Sequence, residues 1–395
     1  MNNSVDNNSK KIAIITKHHP EASLCLAIHL AKKGHEVDFY TIVTLTQKTF
    51  PGFEFPTAPT KIGIVGLNET HIPEIYKMAK GLRVRFHLIR VLSVKRWTRF
   101  IDALITECAI KIIKKRGYDA YNVIGQTTHV DRIHKVLRKE NIIHTFHEVG
   151  FHYRDIPSTP FVNLAIKDSS KVILPSNLTL SRFQSLPQAS NCRAVKIPVG
   201  MHLTILSYEH PIKMEIPLDL SKPTFLFYGR IVQYKGLSTL RCALELLKDR
   251  ENQYNVIIAG AGADDNLSSL RVQKNVFILN RRISNDEMIY LNRICTAVLM
   301  PYTSASQSGI VLTTFMFGKP IIATKVGALI ETISDKVNGL LVDKENPQAF
   351  ADAMTKLIES PELVEKLSEG ALKFGHGDEY DWDEIAQKTA DFYFS

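Results

Sequence analysis

Residues 298–324, VLMPYTSASQSGIVLTTFMFGKPIIAT, constrain the fold more than any other stretch of the chain. A short apolar run ends at Pro301 and reads as a strand buried on both faces. A polar loop over 303–309 follows, then an apolar segment of helical length from Ile310 to Phe317, stopped by Gly318-Lys319-Pro320. A second strand, Ile321-Ile322-Ala323, completes the unit. Strand, helix, strand is a right-handed crossover, which belongs to a parallel sheet. The loop also brings backbone N–H groups to a helix N-terminus, where an anion can sit. An ordinary crossover with a tight turn has the same pattern, and the loop alone does not separate the two.

The alternation recurs along the chain. A strand over 11–16, a helical pattern through Leu24, Ile28, Leu30 and Ala31 ended by Gly34, and a strand over 37–40 form a βαβ opening. Its loop lacks GxGxxG spacing, which weakens a dehydrogenase reading. Strands are expected over 62–65, 121–124, 142–146, 172–176 and 195–200, with a helix over 104–113. Between Thr204 and Pro223 periodicity is lost and prolines recur. Beyond it, strands over 224–229, 256–259 and 276–279 precede Ser284 and Glu287, a capping box. The expected class is α/β, with two doubly wound parallel-sheet domains over 1–205 and 206–375, because 395 residues exceed the usual single core.

Charge and cysteine usage narrow the setting. The first nine residues are polar and read as a frayed tail without a secretory signal. No run of 18 apolar residues occurs, so no spanning helix is expected. Five scattered cysteines without a CxxC pair point to reduced thiols in a cytoplasmic setting and to no zinc site. The net charge is +9, and eight cations without one carboxylate lie between Lys77 and Arg99. Ile75, Met78, Leu82, Phe86, Ile89, Trp97 and Phe100 fall on one side of a helical wheel. Leu88, Val91 and Leu92 fall elsewhere, so the segment 75–101 reads as a basic amphipathic segment, either one helix or two broken near Ser93. Either it lies on an anionic membrane surface through Lys80, Arg83, Arg90, Lys95, Arg96 and Trp97, or it packs on the core with a solvated basic face. Nucleic-acid binding is disfavoured, since no recognition module surrounds the patch.

Three places carry candidate chemistry. His147 and Glu148 follow a strand, where open α/β sheets place ligand contacts, although a buried His–Glu pair is also a structural motif. Arg230 and Lys235 sit five apart on a loop between strand and helix. They can close on one diphosphate, the arginine bidentately and the lysine as a point charge, or they are solvated loop cations. The third place is the opening loop itself.

Together these residues carry a resemblance. Gly229-Arg230-x4-Lys235-Gly236, Ala259-Gly260-Ala261-Gly262, the stretch from Pro301 to Pro320, Val326-Gly327-Ala328-Leu329-Ile330-Glu331 and Asn338-Gly339-Leu340-Leu341-Val342 occur in the order and spacing of one family. The chain resembles the retaining, nucleotide-sugar-dependent glycosyltransferases of the GT-B fold, family four. The likeness is strong over 220–345 and weaker before it, where Gly34-His35-Glu36-Val37, Thr145-Phe146-His147 and Ile197-Pro198-Val199-Gly200 are recognisable.

The resemblance implies two Rossmann-like domains facing across a cleft, with residues 376–395 as a last helix returning to the first domain. It implies Arg230, Lys235 and His147 as catalytic residues, His147 reaching the donor sugar or the reacting centre. It implies a donor-binding set of Gly229, Ile283, Gln307, Ser308, Gly309, Ile310 and Thr313. The donor would be a UDP- or GDP-linked sugar, with no other cofactor and no metal, and the acceptor a glycan or a lipid-linked glycan of the cell envelope. The protein would then sit on the inner face of the membrane. One departure stands out: Ala305 and Thr313 occupy the positions of the family's two glutamates. An epimerase or hydrolase of the same fold, or a catalytically silent binding subunit, are the alternatives.

Overall fold

The computed structural model describes residues 9–17, 20–47, 49–50, 53–54, 59–92, 98–125, 130–147, 149, 162, 166, 171–201, 212–305, 308–375 and 377–395. It has two compact units, Met1–Gly200 with Glu379–Ser395, and Met201–Asp378.

The first unit holds an eight-stranded sheet of β1 (Lys11–Thr16), β2 (Glu36–Thr44), β3 (Gly63–Gly66), β4 (Val84–Val91), β5 (Ala120–Ile124), β6 (Ile142–Thr145), β7 (Lys171–Leu174) and β8 (Arg193–Lys196). Their order is β8-β7-β6-β5-β1-β2-β4-β3, parallel throughout except that β3 runs against β4. Helices α1 (Pro20–Lys32), α2 (Pro73–Met78), α3 (Arg99–Lys115), α4 (Val130–Leu137) and α5 (Asn177–Gln184) accompany it. Strands such as KIAIIT are near-continuous apolar runs because helices cover both sheet faces. A two-residue ladder, Thr49–Phe50 with Phe53–Glu54, stands apart.

The basic segment is corrected here. Residues 84–91, expected as part of an amphipathic helix, form the inner strand β4, wedged between β2 and β3. VRFHLIRV suits either period, and the vacant place beside β2 decides it. Arg90 is only 2% exposed and donates to the carbonyls of Leu45, at 2.9 Å, and Pro59. It is therefore not available to a membrane surface. Arg83 donates to Ser9 Oγ at 2.8 Å and to the Gly34 carbonyl, so it fastens the start of β4. Arg85 grips Asp38 through Nε at 2.6 Å and Nη2 at 2.8 Å. Burial pushes the Asp38 carboxyl up, but hydrogen bonds from His87, Arg85 and Tyr118 more than offset it and hold the group far below its ordinary range. Lys80 is exposed just past α2, while Lys95, Arg96 and Trp97 lie outside the described residues.

The second unit holds six parallel strands: β9 (Thr224–Tyr228), β10 (Asn255–Ala259), β11 (Val276–Leu279), β12 (Ala297–Met300), β13 (Ile321–Thr324) and β14 (Gly339–Val342). The order is β11-β10-β9-β12-β13-β14. The helices are α6 (Leu237–Leu246), α7 (Leu267–Arg271), α8 (Asn285–Ile294), α9 (Gly309–Met316), α10 (Leu329–Thr332), α11 (Pro347–Glu359) and α12 (Pro361–Gly375). The expected capping box opens α8: Glu287 N–H donates to Ser284 Oγ at 3.2 Å and Ser284 N–H to Glu287 Oε2 at 2.9 Å. Alternate residues of β9 enter different cores. Phe225 and Phe227 join the cluster containing Leu240 and Phe350, whereas Leu226 and Tyr228 join that containing Val311 and Phe315. Each such buried ring or aliphatic chain contributes about 1.5–3 kcal/mol of transfer free energy. Strand order reverses between β9 and β12, the place where open α/β sheets bind ligands beyond the strands' carboxyl ends.

The last helix, α13 (Trp382–Phe394), belongs to the first unit. Asp383 Oδ1 lies 2.9 Å from His29 Nδ1, and Asn122 Nδ2 donates to the buried Tyr393 hydroxyl. The Tyr393 carbonyl accepts from Asn141 at 2.9 Å and Lys171 at 2.7 Å.

Candidate functional site

Two loops leave the second unit's switch point, 229–236 after β9 and 301–308 after β12, and they are bound to each other. Thr303 N–H donates to the Tyr234 carbonyl at 2.8 Å. Gly236 has φ +72°, and a Cβ there would lie 1.8 Å from the Pro301 carbonyl oxygen. Only glycine permits both the left-handed turn and this approach.

Between these fastenings lies Lys235, 7% exposed. Its ammonium sits 3.7 Å from the centroid of the Tyr302 ring and 5.4 Å from that of Tyr234, and it donates to the Tyr302 hydroxyl. Burial, with the nearby Arg230 charge adding to it, pushes the Lys235 pKa down to about 7. Burial, and after it the neighbouring Tyr234, drive the Tyr302 phenol well above its ordinary value, while the nearby Ser308 side chain acts the other way. Ser308 is the N-cap of α9 but makes no side-chain cap, so its hydroxyl does not close the helix's first-turn N–H groups. A desolvated cation, an arginine and a helix N-terminus thus converge at the end of β9 and β12. An arriving anion would restore the charge that burial removes from Lys235.

The expected residues fall into distinct places. Gly229, Lys235, Ser308, Gly309 and Ile310 come together: an added Cβ on Gly229 would meet Ile310 Cδ1 at 2.9 Å, and the Tyr228 hydroxyl lies 3.4 Å from the Ile310 carbonyl. Arg230 is exposed on the same loop, close enough for its charge to act on Lys235. Thr313 is buried within α9, next to Thr314, whose hydroxyl lies 3.2 Å from that of Tyr228. Ile283 is half-buried just before α8, and Gln307 lies outside the described residues. His147 belongs to the first unit, buried two residues beyond β6, and Glu148 lies outside the described residues.

Ala305 is tied through its backbone to the 327–328 turn. It is 8% exposed, and its carbonyl accepts from Ala328 N–H at 3.2 Å. Gly327, at φ +53°, lies so close that a Cβ on it would stand 1.5 Å from that carbonyl oxygen. The contact requires glycine at 327 and is made by the Ala305 backbone, so it sets no limit on the side chain at 305.

Sequence reasoning missed Tyr302 and Tyr234. Their signal was present: each aromatic sits directly beside a loop residue already singled out, Tyr234 before Lys235 and Tyr302 after Pro301. A buried His134–His144 pair, Nε2 to Nδ1 at 3.2 Å with Gly125 O 3.1 Å from His144 Nε2, was also missed. Burial first, then the charge of His134, lowers the His144 pKa well below its usual value, which marks it as a neutral packing residue.

Residues 210–374 match the family described as Glycosyl transferases group 1. A D-inositol 3-phosphate glycosyltransferase of Streptomyces griseus is 27% identical over 235 residues, covering 56% of this chain and 48% of that protein. The chain spans about half the length of the first curated relatives it matches. Sucrose-phosphate synthase from Thermosynechococcus elongatus has a similar structure, with TM-score 0.72 at 17% identity over 98% of both chains. HepE of Anabaena, in complex with UDP and glucose, is similar at TM-score 0.66 and 17% identity, covering 97% of this chain and 98% of that one. Segment 210–374 is therefore a glycosyl transferases group 1 domain, and the chain that carries it has the GT-B fold.

Proposed function

We propose that this protein transfers a sugar from a UDP- or GDP-linked donor to a glycan or lipid-linked glycan, with retention at the anomeric carbon. The supporting observation is the Lys235 clamp at the switch point, which lies inside the matched segment. Arg230 and Lys235 hold the diphosphate, and the α9 N-terminus adds its N–H groups. As the bond from the anomeric carbon to the donor phosphate breaks, negative charge grows on the leaving oxygen, and in this reading these groups stabilise it. The acceptor hydroxyl bonds to the same face of the carbon, and its proton passes to the departing phosphate. No carboxylate nucleophile pair is invoked. In this reading the two cations supply the positive field, so activity persists in a chelator. His147 is carried as a group that acts on the donor sugar, and His147→Ala lowers transfer while donor binding remains.

The test is direct. Arg230→Ala and Lys235→Ala abolish transfer while thermal melts show an intact fold, and full activity in both variants would sink the reading.

A second reading is favoured by Ala305 and Thr313, both buried and neither a carboxylate: a nucleotide-sugar-binding subunit without turnover. It is distinguished by a thermal-shift response to UDP- or GDP-sugars with no product across an acceptor panel.

A further inference from the structure

Helix α3 is apolar on two faces, and the sheet uses only one of them. Ala103, Thr106, Ala109, Ile110 and Ile113 are buried. A second stripe, Ile101, Leu104, Cys108 and Ile112, spaced three to four residues apart, stays exposed, with Phe100 beside it. Phe100 is 66% and Ile112 52% exposed. This stripe and the edge strand β3 bound an apolar groove of about 320 Å³, whose wall includes Ile62 and Ile64.

The charges around the groove identify the occupant. Arg99, Lys111 and Lys115 are exposed on α3, and Lys61 precedes β3. Of the two carboxylates on the helix, Asp102 faces inward and Glu107 pairs with Lys111, so Arg99, Lys115 and Lys61 carry the positive charge of the rim. Asp102 is buried and accepts from Leu92 N–H at 2.8 Å. Glu107 is held by Lys111 at 2.8 Å and Arg132 at 2.6 Å. An apolar stripe inside a cationic rim matches the boundary of an anionic bilayer, with acyl chains against the stripe and headgroup phosphates against the rim. A second copy would bring an identical cationic rim into contact with this one. An added peptide strand is disfavoured because β3 has four residues, with glycine at both ends.

We propose that the outer face of α3 with the β3 edge docks the protein on an anionic lipid bilayer. The assignment is independent of sugar transfer, since binding is read without turnover. It moves the membrane contact away from the β4 arginines, which the sheet has taken.

The full chain is expected to co-sediment with phosphatidylglycerol–phosphatidylcholine vesicles, and to do so weakly with phosphatidylcholine alone. Ile101→Asn/Ile112→Asn should lower the partition coefficient roughly tenfold or more. The melt should be unchanged, because both side chains are already exposed. Vesicles should slow modification of Cys108 by a water-soluble maleimide and leave Cys242, in the second unit, unaffected. Equal partition of parent and variant, no vesicle binding by the parent, or a vesicle-free dimer that the double variant dissociates would each overturn the proposal.

Discussion

The Lys235 ammonium both faces the Tyr302 ring, 3.7 Å from its centroid, and donates to that ring's hydroxyl. One aromatic residue thereby fixes the loop after β9 to the loop after β12. Lys235→Met should keep the fold and reduce kcat/KM for transfer by roughly 10²–10³-fold. Tyr302→Phe keeps the ring but removes the bridge, and should weaken donor binding by about 1 kcal/mol. Calorimetric donor titration and transfer kinetics check both. A Tyr302→Phe variant with parental affinity would remove the bridge from the site.

Lys235 also sets a pH dependence. Burial, then Arg230, brings its pKa from the ordinary 10.5 down to about 7. Between those values the unfolded chain holds a proton that the folded chain has lost. This group's contribution to stability therefore rises with pH across that window, and its penalty is complete below about 7. Diphosphate binding favours the ammonium, so donor binding takes up a proton above pH 7. Affinity should fall by roughly tenfold per pH unit there. Titration calorimetry in buffers of different ionisation enthalpy measures the proton directly. A Kd that stays flat from neutral into mildly alkaline pH contradicts the assignment.

Gly236→Ala adds one methyl group where the Pro301 carbonyl oxygen stands 1.8 Å from the added carbon. The two loops must separate, at a cost of about 1–3 kcal/mol or more in stability. Urea unfolding should show the loss, and donor binding should disappear with it. A neutral outcome would mean that the loops are not fastened here.

Tyr393→Phe leaves the buried Asn122 amide without its acceptor, costing about 1–3 kcal/mol. Deleting residues 382–395 removes Trp382, Ile385, Phe392 and Tyr393 from the first unit's core as well. In both variants the first unit's melting transition should fall while the second unit's donor-dependent shift persists. A uniform drop in both would show that the two units melt as one.

Most of the parallel-strand framework was legible, because fully buried strands of short β-branched runs leave little choice of period. Residues 11–16, 276–279 and the Ser284–Glu287 cap match their sequence reading. Segment 84–91 was not legible. Arg85 and Arg90 read as a solvated face until Asp38 and the Leu45 carbonyl, both distant in sequence, are known to be their partners. At the candidate site, the spacing of Arg230 and Lys235 singled out one loop but left open whether they hold an anion or are solvated, and only the family resemblance gave them a role. The Lys235–Tyr302 link could not be read from spacing, since it exists only because β9 and β12 are neighbours. Ala305 was visible as a departure, and the structure adds that its side chain is buried in the cluster containing Val311 and Phe315.

The placement of α13 also bears on the order in which the chain can fold. The second unit, 201–378, is continuous, so it can finish while α13 is still inside the ribosome. The first unit begins earlier but lacks Trp382 and Tyr393 until 382–394 have emerged. The half synthesised first should therefore be completed last, and translation-arrest force measurements should record its final compaction only after Tyr393 clears the exit tunnel.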